Sequence, residues 1–97
     1  MNLEYHPATV SDLNKAVRYY NKQRTGLGNE LRTEIYKTIE RIIENPYRYF
    51  VVDKNIRRCL VRRFPYSILF RVVGSDTIRI LVIRHHRRHP DVGLSRR

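Results

Sequence analysis

The sequence predicts a single α+β domain in which an N-terminal strand leads into an antiparallel helical hairpin and the chain finishes as a three-stranded antiparallel meander. Three observations point there. Two apolar stripes at helical spacing are separated by Gly26-Leu27-Gly28, strand-like runs alternate after residue 56, and turn residues fall between those runs. Ninety-seven residues form one domain, able to bury roughly two-thirds of the unfolded surface but too short for a second core.

Asn2 to His6 alternates, with Leu3 and Tyr5 on one side, and reads as an edge strand. Pro7 ends it and suits the first turn of a helix. Val10, Leu13, Val17 and Tyr20 then recur at three and four residues, while Lys15, Arg18 and Lys22 carry charge on the other side. After the glycines a second stripe runs through Leu27, Leu31, Ile35, Ile39 and Ile42, widened by Ile43. Asn45 precedes Pro46, which disfavours helical backbone at Asn45 and ends the helix.

Residues 47–56 are aromatic and apolar without a clean period, and read as a loop with room for a short strand. Three strands follow, Arg57 to Phe64, Tyr66 to Val73 and Thr77 to Arg84, with turns at Pro65 and at Gly74-Ser75-Asp76. Asp91 to Arg97 reads as a mobile cationic tail. Strict alternation places Tyr66, Ile68, Phe70 and Val72, with Ile78, Ile80 and Val82, against the helices. The other face then carries Ser67, Leu69, Arg71 and Val73 beside Arg79, Leu81, Ile83 and His85. Little chain remains to cover that mixed face. Leu69, Arg71, Arg79, Leu81 and Ile83 are therefore the expected docking surface for an amphipathic acidic partner.

Charge is distributed unevenly. Residues 57–97 hold eleven Arg against Asp76 and Asp91, giving +9, whereas residues 1–56 hold nine Lys and Arg against seven acids, giving +2, for the total of +11. Such an excess attracts a polyanion or an acidic protein, and guanidinium groups favour bidentate contacts to phosphate or carboxylate. The lone Cys59 forms no internal disulfide and reads as a small core residue. The N-terminus has neither the basic nor the apolar region of a leader, and no apolar run reaches the ~18 residues of a spanning helix. The expected compartment is the cytoplasm, with no membrane association.

The last predicted strand runs into Arg84-His85-His86-Arg87-Arg88-His89-Pro90, a cluster of cations and imidazoles at the end of a rigid support. His85 reads either as a general acid with its pKa lowered by neighbouring arginines or as a hydrogen-bonded strand end. The spacing of His85, His86 and His89, without a second Cys or His pair, argues against a metal site, and no cofactor is called for. Arg63 is the foremost functional arginine, its structural alternative being a pair with an acid such as Glu4 or Glu44. Tyr19, Tyr20, Tyr47 and Tyr49 read as packing aromatics.

Taken in order, the strand, the hairpin closed by Gly-Leu-Gly, the Asn-Pro stop, the segment from Arg57 to Phe70 containing Arg63-Phe64-Pro65-Tyr66, and the final His85-x-x-Arg88-x-Pro90 resemble the RelE/ParE superfamily of toxins from bacterial type II toxin–antitoxin modules. The likeness covers almost the whole chain. It implies a toxin that inhibits growth, stabilises plasmids and is neutralised by a cognate acidic antitoxin. RelE-like members cleave mRNA on the ribosome without metal, and ParE-like members inhibit DNA gyrase. If this chain were a nuclease, the resemblance would assign catalysis to Arg58, Arg63, His85 and Arg88; as a target-binding toxin, it would use Arg63, His85, Arg87 and Arg88. RelE-like nucleases typically carry Arg after the third-strand Tyr and often Tyr near the C-terminus, whereas this chain has Ser67 and, near the second position, Val92-Gly93; relatives with Trp at the latter place differ as well. These departures count against an intact ribosome-dependent ribonuclease and favour the ParE-like reading, with a degenerate module that binds only RNA or antitoxin as a further alternative.

Overall fold

The computed structural model describes residues 1–97. Strand β1 (Asn2–Tyr5) leads into helix α1 (Pro7–Gln23), and helix α2 (Leu27–Glu44) is followed by a 3₁₀ turn at Pro46–Arg48. Strands β2 (Phe50–Asp53), β3 (Ile56–Leu60), β4 (Tyr66–Val73) and β5 (Thr77–His85) complete a five-stranded sheet of order β1-β5-β4-β3-β2. The α+β class and the order of elements are those expected from the sequence. The meander has four strands, because residues read as a loop supply β2, which pairs antiparallel with β3.

Local chemistry sets each boundary. His6 caps α1 by accepting a hydrogen bond at Nδ1 from the Ala8 amide, and Pro7 occupies the first helical turn. Gly26 adopts φ 86 between the helices, a conformation costly for other residues. Gly28 lies against the carbonyl of Val17, and its amide donates to Asn21 Oδ1 at 2.7 Å, so the hairpin closes tightly. Strand β3 is shorter than the sequence reading, stopping at Leu60. The chain turns at Arg63 (φ 71), and Phe64 swings beneath α1 against the ring of Tyr20.

One β-bulge organises the sheet. Strand β5 has nine residues and β4 eight. Pairing steps from Leu69↔Val82 to Phe70↔Ile80, leaving Leu81 without a partner of its own. An extra residue reverses the facing of all that follow it. Ile78 and Ile80 therefore face the helices, but so do Ile83 and His85, while Val82 turns to the opposite face. The main core joins Leu13, Val17, Leu31, Ile35, Ile39 and Ile42 to Ile68, Phe70, Ile78, Ile80 and Ile83. This corrects the strict alternation expected for Val82, Ile83 and His85.

The opposite face is covered by the chain itself. Ile56, Leu69, Leu81 and Val82 form a second small core under Val52 and Leu94. The C-terminal segment is pinned there, contrary to the mobile tail expected. Arg96 pairs with Asp12 at 2.6 Å and donates to the Leu81 carbonyl at 3.0 Å. Gly93 (φ 88) presses so closely on Val82 that a Cβ would lie 2.6 Å from Cγ1. Leu69 and Leu81 are fully buried and Ile83 nearly so, which removes all three from the exposed docking surface expected. Arg71 and Arg79 stay on that face as a cross-strand pair, with Arg79 bonded to Glu4 at 3.2 Å.

Burial gives Leu81 a structural weight the alternation did not assign. Leu81→Ala should lower unfolding free energy by about 2–5 kcal/mol, and Leu81→Asp should leave little folded protein, because it buries a carboxylate beside Leu69 and Val82. Urea denaturation followed by circular dichroism measures both; a Leu81→Asp variant with a wild-type midpoint would refute the assignment of this face.

Candidate functional site at the cationic end of the sheet

The ends of β3, β4 and β5 meet where the chain is richest in arginine. Register places Tyr66 opposite His85 and Ser67 opposite Arg84, so neighbouring residues look to opposite faces. On the helical face the His85 ring meets the edge of Tyr66 at 5.1 Å, and Tyr19, Tyr20 and Leu27 complete an aromatic cleft. On the other face Arg58, Ser67, Arg84, His86 and Arg88 line a cleft of about 260 Å³.

The three C-terminal imidazoles turn to separate partners. His85 Nδ1 accepts from the Arg87 amide at 3.0 Å, His86 Nε2 lies 3.0 Å from the Ser67 hydroxyl, and His89 Nδ1 accepts from the Asp91 amide at 3.1 Å. Desolvation first, then the charges of Arg87 and His86, push the His85 pKa down. The expected direction is met, with burial the larger cause. Desolvation also raises the Tyr66 pKa to about 12, aided by Tyr20 and Tyr19, so its phenol stays protonated near neutral pH. Arg84 is held by the Val92 carbonyl at 3.1 Å and by the Pro90 carbonyl. Burial and the facing Arg58 lower its pKa, which reports how closely these cations are crowded.

Arg63 takes the structural alternative, with different acids from those considered. It donates to Glu30 at 2.8 Å and lies 3.8 Å from Glu34, tying the β3–β4 turn to α2. The Glu30 carboxyl is held below its usual range chiefly by that bond. Arg87 and Arg88 sit exposed beyond β5, and Cys59 is buried with its thiol pKa raised by desolvation. Of the four candidate nuclease residues, Arg58 lies on one face, His85 on the other, Arg63 is bound to α2, and only Arg88 borders clefts on both faces. Sequence reasoning missed Arg84, whose facing depends on the bulge.

The two-layer fold with a cationic end is the architecture of a small basic α+β domain. The family model for the ParE toxin of the type II system parDE matches residues 3–90, and the chain belongs to that family. The structure is similar to a chain of the chromosomal ParDE system from P. aeruginosa, with a TM-score of 0.78 and 20% identity over 88% of this chain and 95% of that one. That likeness establishes the fold. No curated protein matches the chain.

His85 sets an expected pH dependence. Its folded pKa lies below the ordinary 6.5, so the unfolded chain takes the proton first as pH falls. The group costs no stability well above 6.5, and its penalty grows as pH drops through 6.5 towards the folded value. Wild type should therefore lose more stability than His85→Gln between about pH 7.5 and pH 5.5 in urea titrations. An equal loss in both proteins would assign the acid sensitivity elsewhere.

Proposed function

We propose that the chain is a ParE-like toxin that binds and inhibits DNA gyrase without hydrolysing a substrate, and that a cognate acidic antitoxin neutralises it in the cytoplasm. The observation that carries this reading is the separation of Arg58 and His85 by the sheet. Phosphodiester cleavage needs proton-moving and charge-stabilising groups converging within hydrogen-bond reach of one phosphate. Here the bulge sends His85 to the helical face while Arg58 stays with Ser67 and Arg84 on the other. Arg63 is engaged by two carboxylates.

The positions where this chain departs from the nuclease pattern are occupied by packing. Ser67 is buried against His86, and Gly93 has Val82 where a larger side chain would begin. Arg87 and Arg88, which are exposed, together with His85 and Arg63, are the proposed target contacts, and the net charge of +11 favours an acidic neutralising partner. No helix is long and apolar enough to cross a membrane. One observation favours the ribonuclease alternative: His85, Arg88, Tyr19 and Tyr66 border a common cleft.

Purified toxin should inhibit gyrase supercoiling while leaving ribosome-bound mRNA intact, or cutting it at least about a hundredfold more slowly than a competent nuclease would. Codon-positioned cleavage that disappears in Arg63→Ala or His85→Ala would establish the ribonuclease instead. Absence of both activities, with tight antitoxin binding, would mark a module that only binds.

A further inference from the structure

Two clefts on the helical face meet at Tyr19, Tyr66 and His85. One, of about 480 Å³, ends at Gln23 and Leu27; the other, of about 360 Å³, runs past Lys15 to Arg88. Volumes of this order suit a small organic ligand rather than a simple ion. Helix α1 builds one wall. Lys15, Tyr19 and Gln23 recur every four residues, so a cation, a ring and an amide stand in a line spanning about 12 Å. The end of the sheet builds the other wall, where the rings of Tyr66 and His85 meet edge to face at 5.1 Å. Tyr19 packs against Tyr20 yet is 58% exposed, leaving much of its ring open to the cleft's solvent. Lys15 and Arg88 are exposed and take part in no ion pair. Asp12, the one acid lining the cleft, is held by Arg96 at 2.6 Å.

We propose that this joined cleft binds a free mononucleotide, with the base against the rings of Tyr19, Tyr66 and His85, the base edge at Gln23 and the phosphate at Lys15 and Arg88. Aromatic side chains stack on any base, and a side-chain amide donates to and accepts from a base edge at once. His85 Nδ1 accepts from the Arg87 amide, so the neutral ring carries its hydrogen on Nε2 and has it to donate. Desolvation keeps that imidazole neutral and the Tyr66 phenol protonated near pH 7, which leaves both rings uncharged for stacking. Free cationic charge lies at one end only. Gln23 and Leu27 close the other end, and the neighbouring Arg24 is paired with Glu30 at 3.1 Å. A nucleic-acid strand is gripped along its backbone by a continuous cationic groove, so charge at a single end favours a single nucleotide. The inference goes beyond the gyrase reading and does not rest on it.

Calorimetry on the full chain at fixed ionic strength, with adenosine monophosphate, adenosine and inorganic phosphate as probes, tests the site. The monophosphate should bind at least about tenfold more tightly than either fragment, since only it engages both ends of the cleft. Tyr19→Ala should weaken its binding at least about fivefold, and Tyr19→Phe, which keeps the ring, should not. Lys15→Gln should weaken the monophosphate by a similar factor while leaving the weaker binding of adenosine unchanged. Tyr19 and Lys15 face solvent, so the urea midpoint of each variant should stay at the wild-type value. Monophosphate binding no tighter than that of inorganic phosphate, or wild-type affinity in Tyr19→Ala, would overturn the site. Equal losses in Tyr19→Phe and Tyr19→Ala would overturn the stacking assignment. A single-stranded oligoadenylate that binds while the monophosphate does not would overturn the proposal and assign the cleft to a strand.

Discussion

The extra residue at Leu81 is the constraint from which the arrangement of this domain follows. A bulge breaks the ladder and leaves backbone groups that must find other partners. Helix α1 and the C-terminal segment supply them. The Ile80 carbonyl accepts from the His6 amide at 2.8 Å and from the Thr9 hydroxyl at 3.3 Å. The Leu81 carbonyl accepts from Thr9 at 3.1 Å and Arg96 at 3.0 Å. The Ile83 amide donates to Asp12 at 3.3 Å, and Asp12 is itself held by Arg96. Strand β1 stops pairing with β5 at Ile80, where α1 begins to take over that edge. The same irregularity lies where the first helix and the tail attach, and it decides which faces Arg84 and His85 occupy.

Two kinds of arginine result. Those with carboxylate partners hold elements together: Arg63 joins the β3–β4 turn to α2, Arg79 joins β5 to β1, and Arg96 joins the tail to α1. At partly exposed sites such pairs are worth modest free energy, but they fix geometry. Arg41, Arg48, Arg58, Arg62, Arg84 and Arg88 form no ion pair and concentrate along one rim. Burial first, and the charge of Arg58 second, push the Arg84 pKa down, with Asp91 acting in the opposite direction.

Helices, their Gly-containing turn and the two long strands were legible because their periodicities are strong and their breakers unambiguous. Strand β2 was not. Its four residues are half exposed and pair with β3 through an irregular register, so neither burial nor alternation marks it. The bulge was invisible for a different reason: Ile80-Leu81-Val82-Ile83 is apolar throughout, and an apolar run carries no sign of where alternation slips. That single ambiguity moved Ile83 and His85 to the wrong face. The tail was misread because its covering residues, Gly93 and Leu94, sit among charges and act by shape and by one ion pair. The site was legible as a cluster of cations and imidazoles, while its division between two faces required the register.

That division bears on how a small toxin scaffold separates its tasks. On the helical face, His85 and Tyr66 stand among aromatic side chains, where desolvation keeps the imidazole neutral and the phenol protonated near pH 7. On the opposite face the guanidinium groups stay charged and surround exposed Leu60, a surface suited to long-range attraction followed by apolar anchoring. Arg88 alone borders both, at the end of β5 where the two faces meet. A ligand gripping the cationic rim would therefore crowd the entrance to the aromatic face through Arg88.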